Sequence, residues 1–289
     1  MASADESVSL LTSMGFDNWS SQQALQMCEG NVERAVEFLL SGNSTMGTST
    51  SSSVTNNSSQ LSLVQSDISQ YSNPLGRSAC TAIALTLAKN CISQLGSSSP
   101  ESVVDDKLLS TSINNGIKLY SELSGNNGNG AEHSSVEDIL NACSGRDNVT
   151  LSSLKLLPNS PRQGILSNSS SYKHMGLEAL LTQCQMDSSE ANIAVVITKT
   201  PETVLVILPT QSASTNGNAK FVLIDSHPRP QQLAPHFPTG SYALFHPSLS
   251  SLVVSLREIF PVTELDGIPE LMKMMYNSFD IYPFQLSRG

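Results

Sequence analysis

Cys80, Asp225 and His227 are the residues of this chain whose types and surroundings suit covalent chemistry. Cys80 follows the turn-rich stretch Ser72-Asn73-Pro74-Leu75-Gly76-Arg77. It lies in an apolar run to Cys91 that reads as a helix beginning near Ser78 or Ala79. A thiol in the first turn of a helix meets free backbone N–H groups and the positive end of the macrodipole, both of which favour a thiolate. Arg77 is close by in sequence and is expected to add to that field. Asp225 and His227 stand two apart in Phe221-Val222-Leu223-Ile224-Asp225-Ser226-His227, a segment predicted as a strand. Residues two apart on a strand leave the same face side by side. A carboxylate beside an imidazole holds one ring N–H and leaves the other nitrogen for a nucleophile. Plainer readings stay open: Cys80 and Cys91, eleven apart, share a helical face and suit a buried core, and Asp-Ser-His before Pro228 suits a strand end.

The elements that must position these groups fall in a recognisable order. Helical patterns follow the Cys80 helix at roughly 101–123, 135–143 and 175–185, with loops such as Gly125-Asn126-Asn127-Gly128 between them. The period then changes. Residues 193–198 and 203–208 are β-branched runs around Pro201 and predict a hairpin. The strand 221–227 comes third and Tyr242-Ala243-Leu244-Phe245-His246 fourth, before a helix capped by Ser248 that carries Leu249, Leu252, Val253, Leu256 and Ile259. Helices first and an antiparallel sheet after is an α+β order.

Composition narrows the function classes. The chain has 289 residues, of which 39% are hydrophobic, 14% charged and 5% aromatic, fitting a globular core diluted with Ser, Thr and Asn. A net charge of −10 argues against a nucleic-acid or anionic-membrane partner. No apolar run approaches the ~18 residues of a bilayer span, and the acidic opening MASADESVSL lacks the basic region of a secretory leader. Five cysteines without CxxC or close Cys/His spacing point away from a disulfide framework or a zinc site, so no metal and no cofactor is expected. A reducing compartment is implied, cytoplasm or nucleus.

The chain is expected to divide at residue 43. The stretch 44–59 is dominated by Ser, Thr and Asn and reads as a flexible tether. It separates a head, 1–43, from a body, 60–289. The head holds six acids against Arg34, a net of −5, and the larger body carries the other −5. Three short helices are readable in the head: Val8 to Met14 ended by Gly15, a second capped by Ser20 or Ser21 and ended by Gly30, and a third capped by Asn31.

That pattern resembles the ubiquitin-associated (UBA) domain, a small all-α three-helix bundle that binds ubiquitin. The likeness covers residues 6–42 and rests on Leu11, Met14-Gly15-Phe16, Ala24-Leu25 and the run Gly30 to Leu40. It implies that Met14, Gly15, Phe16, Leu39 and Leu40 form the apolar surface that docks on ubiquitin. The physical logic is that Gly15 turns the backbone and leaves Met14 and Phe16 to protrude. Alternatives are that Met14 and Phe16 are core residues of a tiny bundle, or that the bundle binds another partner.

In the body, an early thiol at a helix start and a late His on a strand is the arrangement of papain-like cysteine peptidases. The segments Gly76 to Ala84, Phe221 to Arg229 and Gly240 to Phe245, with the helix 248–259, resemble the deubiquitinating domain of the herpesvirus large tegument protein and its relatives. The resemblance implies a papain-like fold with Cys80 as nucleophile, His227 as general base and Asp225 as its orienting acid. It also implies a Gln upstream of the Cys as oxyanion donor, for which Gln70 is the nearest candidate and Gln65 and Gln60 are alternatives. The stretch 95–170 matches nothing in that family. Other deubiquitinase classes fit less well: the Gly-His-Tyr of the large ubiquitin-specific class is absent, and Arg77 stands where the ovarian-tumour class has Asp. His133, His174, His236 and His246 have no partner pattern.

Together these features predict a deubiquitinase that hydrolyses isopeptide bonds at ubiquitin's C-terminal glycine, with ubiquitin or polyubiquitin chains and ubiquitinated proteins as partners. The rivals are a non-catalytic ubiquitin-binding adaptor with an inactive protease-like body, and a thioester-forming transferase.

Overall fold

A computed structural model describes residues 61–95, 99–124, 134–144, 151–188, 191–215, 220–229 and 239–287, together with Ser7, Leu25, Val32 and Val36. The chain divides into two units, Met1–Ser59 and Gln60–Gly289. In the first, the four described residues are all helical and Leu25 is buried. Met14, Gly15, Phe16, Leu39 and Leu40 lie outside the described residues, as do the remainder of the three expected helices and the tether.

The second unit mixes helix and sheet. Its strands are β1 (Ser62–Gln65), β2 (Leu154–Leu156), β3 (Arg162–Ile165), β4 (Ile193–Lys199), β5 (Glu202–Leu208), β6 (Phe221–Asp225), β7 (Tyr242–His246) and β8 (Ser278–Leu286). Its helices are α1 (Cys80–Leu95), α2 (Pro100–Val103), α3 (Asp106–Ser124), α4 (Val136–Ser144), α5 (Leu177–Asp187), α6 (Gln211–Thr215), α7 (Leu249–Ile259) and α8 (Glu270–Tyr276). The strands form one sheet in the order β1-β7-β6-β5-β4-β8-β2, with β3 also on β8, and every described pairing is antiparallel.

Alternation along the central strands explains two cores. Ala194, Val196, Leu205, Ile207, Val222 and Ile224 point to the face covered by α1, α3 and α4. Ile193, Val195, Ile197, Val204, Val206 and Leu223 point to the face covered by α5 and α7. With apolar side chains on both faces, β4 and β5 read as continuous apolar runs. Helix α1 is buried along most of its length, and α3 crosses it closely at Gly116, where a Cβ would stand 2.5 Å from the Ile83 Cα. Two pieces differ from the expectation. The helix read over 101–123 breaks at Val104–Asp105, because the Asp105 side chain accepts from the Leu108 N–H at 2.7 Å and caps a new helix. The strand read over 221–227 ends at Asp225, leaving His227 in the bend beyond it.

No described helix is long and apolar enough to cross a membrane.

Candidate active site

Local chemistry fixes the start of α1. The Ser69 hydroxyl accepts from the Tyr71 N–H at 3.3 Å, and the Ser69 backbone N–H donates to the Ser72 hydroxyl at 3.0 Å, closing a capping box around the 3-10 turn Gln70–Ser72. Asn73 caps the next turn, Pro74–Gly76, by accepting from the Leu75 N–H at 3.0 Å. Gly76 is required there, since a Cβ would lie 2.0 Å from the Gln70 carbonyl oxygen. The Gly76 carbonyl then accepts from the Ala79 N–H at 3.0 Å, and Cys80 becomes the first residue of α1.

The β4–β5 hairpin meets that helix start. The Cys80 Sγ lies 3.6 Å from the Pro201 carbonyl, and the Thr81 and Thr203 hydroxyls are 3.2 Å apart. Cys80 is 1% exposed, yet it belongs to neither apolar core. Cys91 does belong to one, and burial pushes its thiol up to about 12.

Asp225 and His227 are brought together by a turn, not by a pleat. Asp225 Oδ1 accepts from the His227 backbone N–H at 2.8 Å, the two-residue bond of an Asx turn, and lies 2.6 Å from Nδ1 of the same ring. The second carboxylate oxygen accepts from Arg229 Nε at 3.1 Å and from the Tyr242 hydroxyl at 3.3 Å. Arg229 also pairs with Glu202, the first residue of β5. Asp225 is fully buried and His227 is 3% exposed. The two acids and two bases of this cluster balance when His227 is protonated.

Electrostatics agree with that balance. Burial pushes Asp225 up, but His227 and Arg229 outweigh it and hold the carboxyl below its ordinary value. Burial likewise pushes His227 down, but Asp225 and a hydrogen bond with the Cys80 thiol raise it to about 10. The raised value gives a test. Stability from the protonated ring is fully present below the unfolded pKa of about 6.5 and is lost as pH rises through about 10. The gap in melting temperature between the wild type and His227→Gln is therefore expected to be widest near pH ~6 and to close steadily above it. A constant gap over that range would show that the ring is not held charged.

Gln70 lies against the same segment. Its backbone N–H donates to the Ser226 carbonyl at 3.1 Å, and its side-chain Oε1 accepts from the Ser226 hydroxyl at 2.9 Å. Tyr71 sits beside it, half exposed, with its ring 6.0 Å from the His227 ring in an edge-on arrangement. Burial and nearby Glu202 raise the Tyr71 phenol, while a hydrogen bond with the Gln70 side chain opposes the shift.

The structure thus brings together Cys80, His227, Asp225 and Gln70. Gln65 lies on β1 with its Nε2 buried and unpartnered, and Gln60 lies outside the described residues. Arg77 is exposed; the cation beside the acid and imidazole is Arg229. Arg229, Glu202, Tyr242 and Ser226 had no role in the sequence reading. Among the other histidines, His246 bonds the Ser251 hydroxyl at 3.1 Å and burial lowers it to about 4, whereas His174 is exposed. Among the described residues no group of three metal-ligating side chains occurs.

Comparison with known proteins adds two likenesses. Residues 5–39 match the UBA/TS-N domain. The chain is also similar to a ubiquitin-specific protease encoded by a murine cytomegalovirus tegument protein, solved with a ubiquitin-based suicide substrate. The identity is 15% and the TM-score 0.48, covering 79% of this chain and 87% of the viral one. No curated protein matches the chain in sequence.

Proposed function

We propose that this protein is a cysteine-type deubiquitinase: a UBA-like ubiquitin-binding head at 1–43, a tether at 44–59 and a papain-like peptidase body at 60–289. One observation carries the reading. A buried Asp225–His227 pair meets the thiol of Cys80, which lies well over a hundred residues earlier and begins a helix. The match of residues 5–39 to a UBA domain supports ubiquitin as the substrate.

In the proposed reaction, the Cys80 proton resides on His227, and the thiolate Sγ attacks the carbonyl carbon of ubiquitin's C-terminal glycine to form a C–S bond as the carbonyl electron pair moves onto oxygen. The side-chain amide of Gln70 and backbone N–H groups at the start of α1 stabilise the oxyanion. The isopeptide C–N bond breaks as His227 gives its proton to the departing lysine amine. The neutral imidazole then takes a proton from water, the hydroxide adds to the thioester, and the C–S bond breaks to free the acid and regenerate the thiolate beside the protonated ring. Asp225 holds the ring through Nδ1 in both halves.

Turnover of ubiquitin carrying a C-terminal fluorogenic amide tests the reading, and its absence in the folded protein would favour the adaptor. The adaptor reading draws on one observation: Cys80 is almost wholly buried, with the Pro201 carbonyl at its sulfur.

Ser226 offers a finer test. Its hydroxyl donates to the Gln70 Oε1 and so fixes the amide orientation, leaving the N–H groups as the donor face that the Tyr71 phenol shares. Ser226→Ala is expected to lower kcat about tenfold, equivalent to ~1.4 kcal/mol of barrier, with KM within about twofold. An unchanged kcat would remove Gln70 as the oxyanion donor.

A further inference from the structure

Helix α8 turns its apolar side chains toward water. Leu271 and Met275 are 69% and 68% exposed, and Met272 and Tyr276 are exposed beside them. A surface helix ordinarily buries such a set, and a contiguous apolar patch marks an interaction surface. This helix is no frayed end. Asn277, itself buried, accepts from the Thr263 N–H at 2.7 Å and donates to the carbonyls of Thr263 and Lys273 at 3.0 Å each. Those bonds pin the helix while leaving its apolar side chains uncovered.

Strand register places α8 at the candidate active-site end of the sheet. Asp280, four residues past the helix, pairs with Thr198, where β4 turns through Pro201 into β5. The Pro201 carbonyl is the one that touches Cys80, and Asp225 closes β6 at the same end. From β6 through β5 and β4 to β8 is three strand spacings, about 14 Å. Four extended residues span about the same length. Exposed Glu264, Asp266 and Glu270 precede the apolar side chains along the chain and outnumber the half-buried Lys273 of the same helix. The head has the same chemistry, with Met14, Phe16, Leu39 and Leu40 in a segment of six acids and a single base.

We propose that α8 is a docking face for the folded body of the ubiquitin unit whose C-terminal tail enters the Cys80 site. This deepens the deubiquitinase reading and rests on it for the identity of the partner. Ubiquitin offers the matching chemistry, an apolar patch beside a basic tail. Methionine side chains adapt to such a surface at small cost.

The test uses the full chain carrying Cys80→Ala, Met14→Ala and Phe16→Ala, so that neither turnover nor the head contributes. Monomeric, isotopically labelled ubiquitin is titrated with this protein. Adding Leu271→Asp with Met275→Asp is expected to raise Kd at least tenfold, and Glu270→Lys alone several-fold, without moving the thermal transition. Because all three positions are exposed, a lowered transition would show a structural role and overturn the proposal. So would a Kd within twofold for both variants, or no binding by the parent. Sedimentation showing a dimer of the parent that the double variant splits would assign the patch to a second copy of the chain and also overturn it. The enzyme reading fails separately: a chain that binds through α8 but never turns over a ubiquitin amide loses the enzyme and keeps the docking face. A chain whose KM for that amide ignores Leu271→Asp with Met275→Asp loses the docking face and keeps the enzyme.

Discussion

Cys80→Ala is expected to abolish covalent capture by ubiquitin with an electrophilic C-terminus, and to lower hydrolysis of a ubiquitin amide by about 10⁴-fold or more. The basis is that the other described thiols are unsuited to the task. Burial pushes Cys91 up to about 12 and Cys184 to about 11, and Cys143 is packed in the helical core. Cys91→Ala and Cys184→Ala should therefore capture normally, after allowance for any loss of stability. Cys80 stands apart because its sulfur meets a polar carbonyl and an imidazole, outside both apolar cores. Removing the sulfur creates little void in either core, so Cys80→Ala is expected to fold normally. The measurement is mass spectrometry of the protein after exposure to the probe, with the thermal transition as control. Undiminished capture in Cys80→Ala would move the nucleophile elsewhere and end the mechanism proposed above.

The legible part of the site was what local sequence determines. Turn residues before an apolar run placed a helix start near Cys80, and the structure begins α1 at that residue. Two β-branched runs around Pro201 gave the hairpin that touches it. The proximity of Asp225 and His227 was also readable, but for a different physical reason. The Asx turn and the following Pro228 take the chain out of the strand, so the carboxylate reaches the ring by a local bond rather than by strand alternation. What escaped depends on pairings with no sequence spacing. Arg229 reaches Glu202 across the sheet end and Tyr242 reaches Asp225 from β7, contacts that exist only once the ladders are in register. Strand β8 escaped because Asp280 and Pro283 interrupt its apolar pattern, although it is paired on both sides. A proline there disfavours a central-strand reading. The short β1 follows a Ser-rich stretch that offers no periodicity.

Asp225→Asn should be the most damaging conservative change in the body. One carboxylate oxygen accepts from the His227 ring and backbone, and the other from Arg229 and Tyr242. An amide has a single oxygen, so either orientation turns its NH₂ toward donors. Facing Arg229, it sets an NH₂ against the guanidinium and leaves that cation Glu202 as its remaining carboxylate; facing His227, it opposes the ring N–H and removes the reason for the ring's proton. Breaking a buried ion pair by losing one partner costs about 3–5 kcal/mol. Loss of the acid behind a catalytic imidazole lowers kcat by about 10⁴. Both effects are expected here, and they can be separated. Arg229→Met added to Asp225→Asn removes the donor that the amide NH₂ opposes, frees only the partly exposed Glu202, and should recover part of the stability but none of the rate. The His227 ring should titrate far below about 10 in the Asp225→Asn protein, which NMR of its imidazole protons reads directly. A folded Asp225→Asn protein with a rate within tenfold of wild type would show that the carboxylate serves the fold alone.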